Sequence, residues 1–371
     1  MSALRSKALG LACLLLPGLA GAEAGYTSVN FLKIGMGARA AAMADSFTAV
    51  ADDPTAVYWN PAGLGLLQGT GLSTTHGAWL QGVSTDTVAL SQEIGKSGTV
   101  GLGFIGDGVQ GFNSSVEDSL GNYAGQGGKV SASDWSLSLA YGDRLGHWLN
   151  GEFFENTLAG LKASVAGQNA LNPVGNALSF EAGLLHLFPQ QRLAVGLDVQ
   201  NVGTAIQDRS QPVLFKAGVS WFRPKNLNPG DRLTLSADID VHDDTGFHPS
   251  FGTEYLSPLG KDFIGALRLG LRATDDQYGL SFLTFGGGLE KKFDGFNAGL
   301  DYAFVPYGAI GATHRFTLNL SLPTGEVKAA TEPVAAQAAA QKAAPAAPTT
   351  PKEPEKPKAP QTVPYTGTLS F

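Results

Sequence analysis

The chain has 371 residues, of which 43% are hydrophobic and 15% charged, and its formal net charge at pH 7 is −7. An acidic chain has no overall electrostatic attraction for phosphate backbones, so nucleic acid is excluded as an expected partner. The only cysteine, Cys13, falls in the leader described next. The remainder of the chain is therefore expected to have no disulfide, no cysteine metal site and no cysteine nucleophile.

Residues 1–22 have the pattern of a secretory signal peptide. Arg5 and Lys7 precede an apolar run that is too short to cross a bilayer as a helix. Ala20-Gly21-Ala22 fits the small-x-small cleavage pattern, and Ala22-Glu23-Ala24 is a close alternative. The sequence therefore predicts an exported protein.

Residues 23–68 are rich in Ala and Gly and contain several turn residues, which is typical of a compact segment with short helices. Asp53 followed by Pro54 predicts a helix over 54–59, because Asp is a good N-cap and Pro is favoured in the first turn. Pro61 pushes the residue before it out of the helical region and ends that helix. Alanine content predicts a second short helix over 37–44. The segment is too small for a domain, and we predict a hatch that fills a pore.

Residues 69–322 alternate apolar with small or polar residues, as in Leu193, Val195 and Leu197 against Gly196 and Asp198. Soluble sandwiches share this pattern, but about ten residues per segment is typical of transmembrane barrel strands. No later apolar run approaches the ~20 residues of a membrane helix, so we predict an all-β, antiparallel transmembrane barrel. The fourteen predicted strands are 71–81, 84–94, 98–106, 132–142, 157–167, 177–187, 192–202, 212–223, 231–241, 247–257, 263–273, 278–291, 294–304 and 313–322.

An even strand number places both ends of the barrel on the periplasmic side of an outer membrane. The longest loop, 107–131, then falls on the outer side, as do 168–176 and 203–211. The segment 143–156 is a long periplasmic exception, which we interpret as an interfacial turn with an amphipathic helix.

Residues 323–371 are dominated by Ala, Pro, Lys and Glu up to position 362. Such a composition buries too little apolar surface to offset the entropy of ordering, so we predict a disordered periplasmic tail. Its tip, 363–371, alternates again and ends in Phe371. The tip is either an address for outer-membrane insertion or a strand-like peptide that docks on a periplasmic partner.

The polar strand faces carry charges that would point into the barrel lumen, namely Glu181, Asp198, Asp238, Asp240, Arg268, Arg272, Asp301 and Arg315. A buried unpaired charge costs several kcal/mol. We therefore predict that Arg39 pairs with a lumen carboxylate, and that Asp52 and Asp53 join the same contacts. The spacing of histidines and carboxylates matches no metal site and no nucleophile triad, so we expect neither an enzyme nor a bound cofactor or metal.

Three stretches carry a resemblance to a known family. The predicted hatch matches at Gly35, Gly37, Ala38, Arg39, Ala40, Ala51-Asp52-Asp53 and Asn60-Pro61-Ala62. The stretch DYAFVPYGAIGATHRFTLNLSL at 301–322 is similar to the last hairpin of PorV-type barrels, and LDVQNVGTAI at 197–206 is the third match. On these residues the chain resembles the PorV/PorQ family, which is associated with type IX secretion and lies within the FadL-like outer-membrane barrels.

This resemblance implies an outer-membrane location and two alternative functions. A PorV-like protein binds exported cargo proteins on its outer face and passes them to other secretion or surface-attachment components. A FadL-like protein is a passive transporter of hydrophobic small molecules such as fatty acids. The hairpin at 301–322 favours the first function, which we take as the main prediction. A purely structural protein anchored by its tail is a third reading.

The resemblance also implies which residues act. In FadL-like proteins the hatch changes shape to admit apolar ligands through an opening in the barrel wall. Here the turn Trp59-Asn60-Pro61 would move. An apolar ligand pocket would be supplied by Phe47, Val50, Val57 and Trp59. The expected partners are outer-membrane lipid, together with a hydrophobic ligand or secreted cargo proteins.

Overall fold

A computed structural model describes residues 27–95, 97–170, 172–223, 230–273 and 281–322. The predictions for the leader, 1–22, and for the tail, 323–371, lie outside these residues. Among the described helices, none is long and apolar enough to cross a membrane.

Within the described ranges, fourteen antiparallel strands form a closed barrel, so the predicted fold class is confirmed. Each strand pairs with its sequence neighbours, and β1 pairs with β14 to complete the closure. The strands are β1 (Thr70–Ala78), β2 (Ser84–Glu93), β3 (Thr99–Glu117), β4 (Tyr123–Arg144), β5 (Thr157–Ala170), β6 (Asn172–Phe188), β7 (Leu193–Gly203), β8 (Leu214–Arg223), β9 (Arg232–His242), β10 (Gly246–Pro258), β11 (Phe263–Arg272), β12 (Leu283–Lys292), β13 (Asn297–Pro306) and β14 (Ala312–Leu322).

The predicted loop 107–131 is wrong, because most of it is a β-hairpin. β3 and β4 remain paired, with register shifts, as far as Glu117 and Tyr123. Their other neighbours stop earlier: β2 pairs with β3 only to Gly108, and β5 pairs with β4 only to Ala132. The hairpin 109–131 therefore stands beyond the barrel, with both outer edges unpaired by any described strand. The Gly- and Ser-rich composition of 109–131 favours a loop, but pairing between the two strands overrides this weak local preference.

Two further boundaries differ from prediction. The loop expected over 168–176 is also mostly strand, since β5 continues to Ala170 and β6 begins at Asn172. The twelfth strand begins at Leu283, and its predicted start at 278 lies outside the described residues. The loop predicted over 203–211 is present, with one isolated bridge between Ile206 and Arg209.

The barrel has two ends, which we name from the chain itself. The near end is where β1 begins and β14 ends, and the hairpin end is where 109–131 projects. At the near end, the segment 143–156 contains one helical turn, α3 (Glu152–Glu155), and a 3-10 turn, Leu145–His147. The amphipathic helix expected there is thus reduced to single turns, with Trp148 and Phe153 exposed.

The two faces of the barrel differ in polarity because the side chains of a strand alternate. Large apolar side chains are exposed on the outer face of most strands, among them Leu102, Phe104, Leu137, Leu139, Leu161, Leu184, Leu197, Leu235, Leu267, Leu269, Leu300, Phe316 and Leu318. The inner face carries buried polar and charged side chains. Apolar side chains outside and polar side chains inside are the reverse of the arrangement in a soluble protein. They match a barrel with lipid outside.

Candidate functional site

The N-terminal segment, residues 27–68, is almost entirely buried. It contains α1 (Ala38–Ala42), α2 (Ala56–Trp59), and 3-10 turns at Asn30–Lys33 and Pro61–Leu66. Both helices are shorter than predicted. α2 begins at Ala56, and in the turn before it the side chain of Asp53 accepts hydrogen bonds from the amide and hydroxyl of Thr55. The segment contacts inward-facing residues of strands on opposite sides, and so it lies inside the barrel.

One side of the lumen, which we call the glycine wall, consists of β3–β6 and packs against the Pro61–Leu66 turn. A Cβ atom added at Gly160 would lie 2.2 Å from the carbonyl carbon of Pro61, and one added at Gly183 would lie 2.1 Å from Oδ1 of Asn60. Glycine is therefore required for this close approach of segment and strands.

Asn60 fixes the turn against the glycine wall through its side-chain amide. Its Nδ2 donates to the carbonyl oxygens of Thr48, at 3.0 Å, and of Leu184, at 3.2 Å. Its Oδ1 accepts from the amide of Ala62 at 3.1 Å. The predicted Trp59-Asn60-Pro61 turn is thus present, and Nε1 of Trp59 donates to the carbonyl oxygen of Met36 at 2.9 Å.

The opposite side, the charged wall, consists of β10–β14 and packs against α1. The guanidinium of Arg39 forms two hydrogen bonds with Glu254, at 2.7 and 2.8 Å, and also contacts Asp52, at 2.5 Å, and Asp53, at 3.0 Å. Glu254 in turn pairs with Arg268 at 2.7 Å, and Arg268 pairs with Asp301. The predicted contact of Arg39 with a lumen carboxylate is present, through Glu254.

Burial changes the protonation equilibrium of one of these carboxyl groups. The pKa of Asp52 is raised from 3.8 to about 6, because burial disfavours its charged form more than Arg39 favours it. The Arg39 guanidinium also lies over the ring of Phe47, 5.1 Å from its centroid. The charged wall therefore holds α1 through ion pairs that have little access to water.

Backbone groups of the segment add hydrogen bonds to the same wall. The amide of Ala38 donates to Oγ1 of Thr317 at 2.7 Å, and the hydroxyl of Thr284 donates to the carbonyl oxygen of Ala42 at 3.0 Å. Arg315 donates to the carbonyl oxygen of Gly35 at 2.7 Å. The glycine wall has few such polar contacts.

A third group of charges lies on β5–β9 around the aromatic residues of α2. Lys162 pairs with Glu181, and Lys216 pairs with Asp240 at 3.4 Å. The ammonium of Lys216 lies 4.4 Å from the ring centroid of Trp59.

Two more predicted lumen carboxylates belong to this group. Asp198 accepts from Gln200 at 2.7 Å, and Asp238 accepts from the amide of Thr48 at 2.7 Å. Glu181, Asp238 and Asp240 thus contact the N-terminal segment or a neighbouring strand, whereas Asp198 contacts Gln200 of its own strand.

A cavity of about 260 Å³ opens at the hairpin end of the lumen, between the segment and β8–β11. We call it the mouth pocket. It is lined by Lys33, Ala44, Asp45, Tyr58, Trp59, Leu214, Lys216, Asp240, His242, Thr245, His248, Pro249, Ser250, Arg272 and Ala273. Of the predicted pocket residues, only Trp59 lines it. Phe47, Val50 and Val57 are fully buried in the apolar cluster of the segment.

The predicted site residues are spread over several places, and Asp198, Asp238 and Asp240 belong to the third group of charges described above. Arg39, Asp52, Asp53, Arg268 and Asp301 meet at the charged wall, whereas Asn60 and Pro61 meet the glycine wall. Arg272 lies apart from the carboxylates, and donates instead to the carbonyl oxygens of Ser281 and Pro306. Across the described ranges, no group of three or more histidine, cysteine or acidic side chains could hold a metal ion.

Sequence reasoning missed Glu254, Lys162 and Lys216. Each of them stands directly opposite a charge of the other sign on the adjacent strand: Glu254 faces Arg268, Lys162 faces Glu181, and Lys216 faces Asp240. Opposite charges at facing positions stabilise a strand pair. Aligning the predicted strands for such pairs would have identified all three residues.

Fold and lumen together define a closed 14-stranded barrel with an internal N-terminal segment. Residues 20–129 match the model of UPF0164, described as an uncharacterised protein family. Comparison with curated protein sequences gave no match.

Solved structures are similar in fold. The TodX deltaS2S3 mutant, a monoaromatic hydrocarbon channel, matches with a TM-score of 0.53 and 10% identity, over 78% of this chain and 99% of that one. The Ralstonia pickettii toluene transporter TbuX matches with a TM-score of 0.49 and 12% identity, over 78% and 99%. A Pseudomonas aeruginosa FadL homologue has a TM-score of 0.47 and 9% identity, over 78% and 98%. At this identity, the likeness to the TodX mutant establishes a shared fold.

Proposed function

We propose that the protein is an outer-membrane channel of FadL-like type, through which hydrophobic small molecules pass without an energy source. The N-terminal segment would act as its hatch, and the near end of the barrel would face the periplasm together with the tail. The apolar outer face of the barrel supports the membrane location. The fold shared with the TodX mutant, a hydrocarbon channel, supports this choice of transport over enzymatic activity.

The observation that carries the proposal is that the segment fills the lumen and is held differently on its two sides. Passage of a solute requires part of this segment to shift. The apolar cluster around Phe47, Val57 and Trp59 would offer hydrophobic surface to a solute once the packing opens. The hatch role of the segment is part of this proposal and rests on the sequence matches. The PorV/PorQ resemblance rests on the same matches.

A disulfide that ties α2 to β3 tests whether the segment must move. A Cβ atom at Gly103 would lie 3.1 and 3.4 Å from the two γ-methyl groups of Val57. The two Cβ atoms are then about 4 Å apart, which suits a disulfide. Beyond the leader the chain has no other cysteine, so the variant Val57→Cys/Gly103→Cys has no competing thiol.

The measurement is uptake of labelled toluene by cells with a lipopolysaccharide outer leaflet, with and without the protein. We expect uptake with the reduced double variant and strongly decreased uptake after oxidation. The single variants Val57→Cys and Gly103→Cys are the controls and should not respond to oxidant. Equal uptake in both redox states would show that the segment stays in place, and absence of protein-dependent uptake would contradict the channel itself.

The second candidate function is the PorV-like binding of exported cargo proteins, which the protruding hairpin 109–131 favours. Both of its edges are unpaired, and it exposes Phe112, Val116, Leu120 and Tyr123. An unpaired strand edge is a template for pairing with a partner chain. The segments 168–176 and 203–211 would lie beside it.

Native mass spectrometry of the protein from its own outer membrane separates the two functions. A co-purifying protein that is lost when 110–130 is replaced by a short turn supports cargo binding. A bound apolar molecule without a protein partner supports the channel.

A further inference from the structure

The rim segment, residues 145–156, connects β4 to β5 at the near end of the barrel. Just before it, Gly142 faces the lumen, because a Cβ atom added there would lie 2.3 Å from the carbonyl oxygen of Pro61. Side chains of a strand alternate between its two faces, and β4 pairs here with β5 without a register shift. The next residue, Asp143, therefore points to the outer face of the barrel.

Asp143 draws the rim segment back against this outer face. Its carboxylate accepts hydrogen bonds from Nε1 of Trp148 at 2.7 Å and from the hydroxyl of Tyr141 at 3.2 Å, and it lies 2.7 Å from Nδ1 of His147. The amide of Arg144 is a further donor, at 2.7 Å. An outward-pointing carboxylate is thus buried by the rim segment itself.

The helical turn α3 lies against the same outer face. The ring of Phe153 stacks on His186, with the two centroids 4.8 Å apart, and the hydroxyl of Thr157 donates to the carbonyl oxygen of Phe153 at 2.7 Å. His186 points outward, because Gly183, three residues before it, faces Asn60 in the lumen. The rim segment therefore extends the outer wall of the barrel and does not cover the mouth of the lumen.

Three large apolar side chains of the rim segment are exposed: Trp148 by 67%, Leu149 by 46% and Phe153 by 62%. They stand at the edge of the apolar outer face of β4 and β5, which exposes Leu139 and Leu161. Tryptophan is enriched where a membrane meets water, because its ring is apolar and its N–H group needs a polar partner. Here the indole N–H already has that partner within the protein.

The charges of this region indicate how it would meet a membrane. Residues 143–156 contain three acidic residues, one arginine and no lysine. Interfacial segments that bind through anionic lipids are rich in lysine and arginine on their polar face. Attraction to anionic headgroups is therefore not available to the rim segment, and burial of its apolar side chains is the remaining source of membrane affinity.

We propose that the rim segment inserts Trp148, Leu149 and Phe153 into the outer membrane at the boundary between headgroups and acyl chains. The partner is the glycerophospholipid of the periplasmic leaflet, contacted through its apolar part and not through headgroup charge. The choice of leaflet rests on the orientation given under the proposed function. The lipid contact itself goes beyond that function, since it concerns the outside of the barrel and no step of transport.

Single fluorescent labels on the full-length protein test the proposal. A Cys13→Ser background has no other cysteine, so Leu149→Cys, Leu184→Cys and Leu120→Cys can each carry one bimane label. Leu184 is exposed on the lipid-facing wall, and Leu120 is exposed on the hairpin beyond the barrel. The labelled proteins are placed in phosphatidylcholine nanodiscs, in which water reaches both ends of the barrel.

Two quenchers then locate each label: iodide in the water, and a phospholipid with a nitroxide on the acyl chain close to the headgroup. The label at Leu149→Cys should be quenched by the nitroxide lipid and protected from iodide, as at Leu184→Cys. The label at Leu120→Cys should show the reverse. Addition of phosphatidylglycerol to the nanodiscs should leave these results unchanged.

Substitutions in the rim segment test which side chains hold it in the lipid. Trp148→Ser/Phe153→Ser should increase iodide quenching of the Leu149→Cys label severalfold. The label at Leu184→Cys should not respond, which also shows that the barrel is folded. Trp148→Phe keeps an apolar ring and should retain quenching by the nitroxide lipid. Asn150→Ala, at an exposed polar position of the same segment, is the matched control and should change neither label.

Three results overturn the proposal. Equal iodide quenching of the Leu149→Cys and Leu120→Cys labels would place the rim segment in water. Protection from iodide without quenching by the nitroxide lipid would show that protein covers the segment, either the tip 363–371 or a second copy. A requirement for phosphatidylglycerol would contradict an apolar contact. The labels report position in the bilayer and not transport, so the channel and the lipid contact can fail separately.

Discussion

The glycine wall and the charged wall hold the same segment by different physical means. At β3–β6 the contact is steric, because strand glycines let the backbone of the Pro61–Leu66 turn come within packing distance. At β10–β14 it is electrostatic, because Arg39 is shared by three carboxylates. Steric contacts are insensitive to pH and salt, whereas buried ion pairs depend on protonation. The comparison predicts that one side of the N-terminal segment responds to pH and salt while the other side stays fixed.

Replacement of Arg39 should weaken the contact of α1 with the charged wall more than any of the changes described below. Arg39→Ala leaves Glu254 and Asp52 buried with less compensation, and breaking a buried ion pair in this way costs about 3–5 kcal/mol. We expect amide hydrogen exchange over 38–44 to become a hundredfold faster or more in detergent, with a smaller change over 61–66. Lys129→Ala, at an exposed hairpin position, is the control. Equal acceleration at both walls would show that they do not open independently.

The second effect is a pH dependence at the charged wall. The pKa of Asp52 in the folded segment, about 6, is above its ordinary value of 3.8. The closed segment therefore binds a proton more tightly than the open one, and this stabilisation is complete below pH ~4 and lost as the pH rises through ~6.

A shift of this size corresponds to about 3 kcal/mol. Exchange over 38–44, corrected for its intrinsic pH dependence, should speed up between pH 4 and 7 in the wild type and stay level in Asp52→Asn. Amides at 61–66 serve as the internal reference. A wild-type profile without a step near pH 6 would contradict the prediction.

The steric wall can be tested by adding one methyl group. Gly160→Ala would place Cβ 2.2 Å from the Pro61 carbonyl carbon and 2.3 Å from the amide nitrogen of Ala62. These are backbone atoms, so the turn itself must shift, at a cost of about 1–3 kcal/mol. Exchange over 61–66 should rise. Gly299→Ala is the control, because the nearest atom to its new Cβ would be 3.7 Å away.

The smallest effect should be a stabilisation at the end of α1. Ala44→Gly removes the Cβ atom from a residue with a left-handed φ of 55°, which should stabilise α1 by about 1 kcal/mol. Protection of the amides at 38–45 should increase severalfold. Ala42→Gly, inside the same helix, should lower protection by a similar amount. Decreased protection in Ala44→Gly would show that its buried methyl group contributes more than the strain costs.

The fold could be predicted from the sequence because the strands of a barrel alternate apolar and polar residues with a period of two. The alternation of Leu193, Val195 and Leu197 identifies their strand without information about a neighbouring strand. The length of β3 and β4 was not accessible, since pairing beyond the barrel rim depends on the partner strand rather than on local composition. The mouth pocket was not accessible either. It joins Asp45 to Asp240 and Arg272 across long sequence separations, and only the position of the segment in the lumen brings them together.

The route of the N-terminal segment has a consequence for how the barrel is assembled. Thr27 and Ser28 bond to Asp244 and to the carbonyl oxygen of Ser210 at the hairpin end, whereas Gly69 meets β2 at the near end. The chain thus runs through the barrel from one mouth to the other. A closed ring of hydrogen-bonded strands offers no side passage to a chain already threaded through it. The segment therefore either lies in place when β1 pairs with β14 or enters afterwards through the near mouth with its N-terminus leading.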